Sequence, residues 1–470
     1  MRTEILNMAA RQNAFLSPEA LEIVLSAPEP IAFINNILSS VSKNSMFIGK
    51  DDVLGCISGP LPKSASPAVA PKNKKQYDIS VAPGTDITGE STCEGKVDDF
   101  TRYFMSRYCM IRDILKRRIG SALPIERVMT VSRDVQIIGM VSESIVSKNG
   151  HRILTLEDDT GICKVFIPKD SPVGDIIVND EVIGVIGRPN GSSTMLIADE
   201  IIRPGVPSGS WEDSDSVSSV AFLSDVHVGS HTFLESRWDS MIKWLRENAK
   251  KMDLDYIVLP GDVVDGIGIF PGQQEELLVD DIYKQYAQLA ERLKEIPDHI
   301  KMVLQPGNHD AVRPAEPQPA LADIFGKQFD SNVMLTANPV TLNIEGRSVL
   351  TYHGRSIDDW VAGVQRLTYD DPVSIMREML ERRHLAPMYG MKTALAPEKK
   401  DYLVIEKRPD IFVTGHVHGA DTMEHKGIRL IASSSWQDQT EFQRMHNFNP
   451  KPGIMPIVHL GTGDTVMKGF

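Results

Sequence analysis

The sequence predicts a multidomain chain of mixed class, in which an all-β segment is followed by a longer α/β segment and preceded by a small helical module. Three observations predict this. Residues 126–205 carry short apolar runs broken by Asn-Gly and Asp-Thr-Gly turns, without helical periodicity. From residue 218 onward, apolar strand-like runs alternate with helical stripes, the pattern of a layered α/β domain. In that same region five runs each lead into a metal-binding or proton-transferring side chain.

Composition sets the outer limits. At 470 residues the chain is too long for one ordinary core. Hydrophobic content of 41% and charged content of 24% are those of a soluble globular protein. No apolar run approaches the ~20 residues of a membrane span, so no membrane partner is expected. The N-terminal residues lack a signal-peptide apolar core, which makes a cytoplasmic location the expectation. Cys56, Cys93, Cys109 and Cys163 form no C-x-x-C pair, so neither a disulfide framework nor a thiolate zinc site is indicated. A formal net charge of −13 argues against broad nucleic-acid binding by the chain alone. A DNA substrate would need a local basic patch or a partner chain to supply cations.

The elements follow in order. Residues 1–42 read as a helical module: Ser17-Pro18-Glu19 is a helix start, and Ile31, Phe33, Ile34 and Ile37 give a further helix its apolar face. A module this small is expected to dock elsewhere or to bind a partner. Residues 43–97 read as a flexible linker, proline-rich from 57, with Lys72, Lys74 and Lys75 clustered. Residues 98–125 lead into the β segment through a helix lined by Phe100, Tyr103, Phe104, Tyr108, Ile111 and Leu115. Its basic end, Lys116-Arg117-Arg118, is read as a solvated terminus that complements the helix dipole. Residues 126–205 then supply about five short strands, which suggests an OB-fold barrel. Phe166 is the only aromatic residue there, so a structural or protein-contacting role is favoured over a base-stacking groove. Residues 206–217 form a short linker, and residues 218–470 the α/β domain.

The five motifs are Asp225-Val-His227, Gly261-Asp262, Gly307-Asn308-His309-Asp310, His353-Gly354 and Gly415-His416-Val-His418. Together they offer ligands for two metal ions roughly 3.5–4 Å apart, an arrangement that hydrolyses phosphate esters. Carboxylate, imidazole and amide oxygen without thiolate suit Mn²⁺, Fe²⁺ or Zn²⁺ better than Mg²⁺. Asp262 is the candidate bridge, because a shared carboxylate offsets the repulsion of two close cations. Asp225, His227 and His418 would complete one site; Asn308, His353 and His416 would complete the other. His309 is the expected catalytic non-ligand, within reach of a leaving or phosphate oxygen. Asp310 has two readings, orienting His309 or capping a helix. Asp265 reads as a turn residue or a support to the ligands, and His231 as an exposed loop residue. Arg355, Arg382 and Arg383 could touch a DNA backbone, with surface solvation the favoured reading.

These motifs resemble the calcineurin-like metallophosphoesterase superfamily over about residues 218–470, which implies a layered β-sandwich flanked by helices. The order of helical module, linker, barrel and phosphoesterase resembles the small subunits of archaeal D-family DNA polymerases. Arg382-Arg383-His384-Leu385-Ala386-Pro387, Ala396-Pro397-Glu398-Lys399 and Phe448-Asn449-Pro450-Lys451-Pro452-Gly453 resemble that family outside the metal motifs. The resemblance implies a 3′→5′ exonuclease that proofreads for a separate large polymerase subunit, and the donor chemistry makes Mn²⁺ the expected ion, with Fe²⁺ and Zn²⁺ open. It also implies DNA 3′ ends as substrate and a sliding clamp as a contact through the complex. A structural, non-catalytic polymerase subunit of the B type and a generic metallophosphatase stand as the alternatives.

Overall fold

The computed structural model describes residues 5, 8, 15–27, 30–40, 47–48, 53, 77–171, 176–190, 195–445 and 449–470. The chain divides into two compact units, Met1–Lys75 and Gln76–Phe470. In the first, α1 (Pro18–Leu25) begins where Ser17 Oγ accepts the Ala20 N–H at 3.2 Å, the expected N-cap. It meets α2 (Pro30–Ser40) over a core of Ala20, Leu21, Val24, Ile34 and Ile37, joined by Ile5 and Val53. Two short strands, β1 (Phe15–Leu16) and β2 (Phe47–Ile48), pair in parallel. The proline-rich stretch at 57–75 lies outside the described residues.

In the second unit the expected long helix is α3 (Val97–Ile119), with Asp98 and Asp99 in its first turn and Lys116, Arg117 and Arg118 in its last. Its basic end is only partly solvated, because Arg118 donates to the carbonyls of Arg203 and Pro204. The helix lays Tyr108, Ile111, Leu115 and Ile119 on the barrel residues Ile138, Met140 and Val182. The barrel closes from β4 (Val135–Val146), β5 (Arg152–Glu157), β6 (Ile162–Ile167), β7 (Val182–Pro189) and β8 (Met195–Ile202), in the order β4-β5-β6-β8-β7. β6 and β8 run parallel, the other pairs antiparallel, and β4 pairs β7 to close the ring. This is the five-stranded Greek-key barrel of the OB type.

The α/β part is a sandwich of two sheets with helices on both outer faces. One sheet runs β12-β11-β10-β9-β18-β19, from β9 (Ser219–Phe222), β10 (Leu254–Pro260), β11 (Lys301–Gln305), β12 (Val333–Leu335), β18 (Ile454–His459) and β19 (Thr465–Gly469). The other runs β16-β17-β15-β14-β13-β3, from β3 (Ile79–Val81), β13 (Val340–Ile344), β14 (Arg347–Tyr352), β15 (Ile411–Thr414), β16 (Ala420–His425) and β17 (Ile428–Ser433). Strand periodicity decides which way each residue points. Val220, Phe222, Tyr256 and Val258 enter the core between the sheets and meet Leu342, Val349, Ile411 and Val413. Their neighbours Ala221, Leu223, Ile257 and Leu259 face the helices Glu235–Asn248 and Ile282–Lys294 through Trp238, Met241, Leu245 and Leu289. On the far side, Tyr352 and Phe412 meet Trp360, Met376 and Met379 from helices Ile357–Gly363 and Pro372–Arg382. Burial on both faces explains why the central strands read as unbroken apolar runs. Among the described residues no helix is long and apolar enough to cross a membrane.

Three expectations need correction. The linker expected at 43–97 is ordered from residue 77: β3 pairs β13 and extends the second sheet. The buried carboxylate of Glu398 accepts from Ser91 Oγ, from the Thr92 and Cys93 N–H groups and from Arg313, which pins residues 91–93. The linker expected at 206–217 is also held. Trp211 lies against the guanidinium of Arg347 at 4.3 Å, and its Nε1–H donates to the Gly461 carbonyl at 2.9 Å. Finally, Arg382 and Arg383 are buried and face neither DNA nor solvent. Arg382 pairs with Glu378 and with Glu181 next to the barrel, and Arg383 donates to the carbonyls of Gly205 and Ile405.

Candidate metal centre

Every ligand expected from the motifs arrives at one rim of the sandwich. β9, β10 and β11 release Asp225 and His227, Asp262, and Asn308; β14 and β15 of the other sheet release His353, His416 and His418. Three groups of donor atoms each fit within 4.8 Å: Asp225, His227 and His418; Asp262, His353 and His416; and His227, Asp265 and His309. The first two groups match the division expected from the sequence, and Asn308 Oδ1 lies 3.1 Å from His353 Nε2. Asp262 reaches both groups, with its Oδ2 at 3.3 Å from His353 and 4.0 Å from His227.

Backbone shape explains the glycines. A Cβ on Gly307 would lie 2.2 Å from Asp262 Oδ1, and one on Gly415 would lie 1.8 Å from Ser224 Oγ. The expected ligands themselves turn left-handed, with φ of 52° at Asp225, 52° at His227, 49° at Asp262, 69° at His416 and 54° at His418. Each such residue costs about 1–2 kcal/mol relative to ordinary backbone.

Hydrogen bonds set the imidazole tautomers. A carbonyl oxygen can only accept, so His353 donates Nδ1–H to the Pro260 carbonyl at 3.0 Å and turns Nε2 inward. His227 donates Nδ1–H to Asp265 Oδ1 at 2.9 Å and likewise turns Nε2 inward, to within 3.2 Å of His418 Nε2. Outer-layer partners of this kind orient metal-binding imidazoles. Asp265 therefore fixes the His227 ring, the orienting role that was one of its two expected readings. Asp358, which lies 3.5 Å from His416 Nε2, and the Gln443 amide, 2.8 Å from His418 Nδ1, are two supports that no motif flagged.

Electrostatics favour a cation. Asp225 Oδ1 is buried and finds no hydrogen-bond partner among the described residues, with His418 Nε2 at 3.4 Å and His227 Nε2 at 3.9 Å. Burial alone would raise the carboxyl pKa values of Asp225 and Asp262, yet the surrounding imidazoles hold both low. Burial would likewise depress His353, yet Asp262 and Asp225 raise it to about 10. Paired carboxylates that draw positive charge, an orphaned carboxylate oxygen and inward imidazole nitrogens together fit divalent ions.

His309 takes a different position. Its Nδ1–H donates to the Asp265 carbonyl at 2.7 Å, which leaves Nε2 toward the cleft, 3.9 Å from Asp262 Oδ2. Asp310 fills neither role expected of it. Its carboxylate accepts from Gly307 N–H, Val263 N–H and Tyr286 OH, and no helix starts behind it, so it braces the loop that carries Asn308 and His309. The donors open onto a cleft of about 540 Å³ that is also lined by Arg355, Lys392, Ile269 and Phe270.

A β-sandwich flanked by helices, with this donor set at its rim, is the layout that the resemblance to metallophosphoesterases implied. The family model for the B subunits of DNA polymerases alpha and epsilon matches residues 220–421. The DNA polymerase II small subunit of Archaeoglobus fulgidus is 44% identical over 393 residues, 82% of this chain and 80% of the relative. That of Methanothermobacter thermautotrophicus is 37% identical over 482 residues, 97% and 98% of the two chains. That of Thermoplasma acidophilum is 34% identical over 477 residues, 100% and 93%. The chain belongs to the family of archaeal DNA polymerase II small subunits.

Proposed function

We propose that this chain is a metal-dependent 3′→5′ DNA exonuclease that proofreads beside a separate large polymerase subunit. One observation carries the reading: Asp225, His227 and His418, and separately Asp262, His353 and His416, each bring their donor atoms within 4.8 Å, and a buried Asp225 oxygen has no hydrogen-bond partner among the described residues. Asp225, His227 and His418 would hold one divalent ion, Asn308, His353 and His416 a second, and Asp262 would serve both. Two such ions, when bound, activate water and polarise phosphoryl oxygens. Mn²⁺ is the favoured ion, with Fe²⁺ or Zn²⁺ compatible with the same donors.

The chain's own residues do the rest. His309, fixed through Nδ1 by the Asp265 carbonyl, presents Nε2 to the oxygen on which charge develops and donates a proton there when the ring is protonated. Arg355 and Lys392 bring positive charge to a cleft in an otherwise acidic chain, suited to the backbone of a DNA end. The 3′→5′ polarity follows the family resemblance. The net charge of −13 fits a subunit whose larger partner supplies much of the grip on DNA.

The test is digestion of single-stranded, mismatched and 3′-recessed DNA by the purified chain, alone and with its large subunit, across Mn²⁺, Fe²⁺, Zn²⁺ and Mg²⁺. We expect metal-dependent loss of 3′ nucleotides. His309→Ala should keep its metal content and lose about 10²–10⁴-fold in rate. No nucleotide release with any ion would sink the proposal.

A further inference from the structure

We propose that loop 265–272 is a base-selecting wedge, in which Ile269 and Phe270 pack on the unpaired terminal nucleobase while its phosphodiester occupies the cleft. The inference rests on the exonuclease reading and deepens it by naming what the site selects.

The loop reads Asp-Gly-Ile-Gly-Ile-Phe-Pro-Gly. Its shape is fixed from beneath by two buried amides. Gln285 accepts from the Gly266 N–H at 2.9 Å and donates back to the Gly266 carbonyl at 3.1 Å. Gln273 accepts from the Ile269 N–H at 2.9 Å and donates to the Asp265 carbonyl at 2.8 Å. With these backbone polar groups satisfied inside, the loop turns apolar side chains outward: Ile267 is 40% exposed and Ile269 38%.

Ile269 and Phe270 line the same cleft as Asp262, His309, Arg355 and Lys392. The wedge is also tied to the chemistry. The Asp265 carbonyl at its base takes the His309 Nδ1–H, and the Phe270 ring stands edge-on to the His309 ring, centroids 6.4 Å apart at 62°. A nucleotide has one flat apolar part, its base. An apolar shelf beside a polyanion site therefore matches a base held next to its own phosphate. Stacking of this kind accepts any base, as an enzyme removing arbitrary nucleotides requires. It favours unpaired ends, because a paired base must first leave its stack at a cost of a few kcal/mol.

The experiment uses the full chain with its large subunit and single strands ending in 2-aminopurine or in an abasic sugar. Binding is read in EDTA by fluorescence, and cleavage separately in Mn²⁺. We expect the parent to quench terminal 2-aminopurine and to prefer the base-bearing end. The double substitution Ile269→Ser and Phe270→Ala should reduce that preference about tenfold, appearing in Kd and KM. Phe270→Trp, which restores a ring, should retain it, and an unchanged unfolding midpoint shows that the loop variants fold. Equal quenching and preference in the parent and the double variant would overturn the wedge, as would a parent indifferent to the missing base. A parent that selects the base in EDTA yet cleaves no DNA with any ion would defeat the exonuclease reading and leave the wedge standing.

Discussion

His384 should make this protein lose stability as the pH falls from neutral, through a buried cluster outside the metal motifs. His384, Asp401, Arg107 and Tyr103 are all buried together where α3 meets the α/β part. His384 Nε2–H donates to Asp401 Oδ2 at 2.8 Å, and the Ala386 N–H donates to His384 Nδ1 at 3.1 Å. Both ring nitrogens are thus committed to the neutral form, and protonating Nδ1 would break the Ala386 bond. Burial, aided by the Arg107 charge, lowers the pKa of His384 to about 4 against attraction from Asp401. The unfolded chain binds its proton near pH 6.5. Between those values the unfolded state holds more protons, so stability is intact above pH 6.5 and declines as pH falls toward 4. From pH 7 to pH 5 the loss is about 2 kcal/mol, and it approaches about 3 kcal/mol at pH 4. The five tryptophans all lie between 211 and 436, so urea unfolding followed by their fluorescence reports on this unit. His384→Gln keeps a donor toward Asp401 and cannot titrate. Its stability should fall about 2 kcal/mol less than the parent's between pH 7 and 5. Parallel pH slopes for the two proteins would refute the reasoning.

Other outcomes follow from the same structure. Saturating Mn²⁺ should raise the melting temperature by several degrees over EDTA, because occupancy at 100 Kd contributes about 2.7 kcal/mol and the donors come from both sheets. Calorimetry checks this, and no shift would mean that no ion is held. Gly307→Ala places a Cβ 2.2 Å from Asp262 Oδ1 and should lower metal affinity at least about tenfold in a competition titration while the chain stays folded. Asp265→Asn should weaken metal binding about 10–100-fold by loosening His227, with the loss seen at one of two sites. Arg107→Ala strands Asp401 in the interior and should cost about 3–5 kcal/mol in urea. Replacing Arg107 and Asp401 together by apolar residues should recover part of that loss.

The clustered donors were legible in the sequence because each is a polar residue released at the end of an apolar run, a local signal that needs no knowledge of partners. The barrel was legible for a similar reason, since its turns mark the strands. What escaped is what depends on distant pairing. Ile79–Val81 is three residues in a segment otherwise rich in turn-formers, and only the free edge of β13 makes it a strand. Arg382 and Arg383 look like surface charge until Glu181, some two hundred residues earlier, and the Gly205 carbonyl are brought beside them. Asp310 follows a histidine in sequence, yet the turn at Gly307 folds its carboxylate back onto backbone N–H groups instead of the His309 ring. The Asp358 and Gln443 supports sit on helices without a motif, so adjacency to His416 and His418 is a property of the fold alone.

The left-handed backbone at Asp225, His227, Asp262, His416 and His418 puts a conformational cost on the donor cluster. Each is a position where glycine would sit more comfortably than the residue present. Replacing one of these residues by glycine would relieve that strain while removing a donor from the cluster. The donor cluster is therefore held in place at a standing cost in backbone energy.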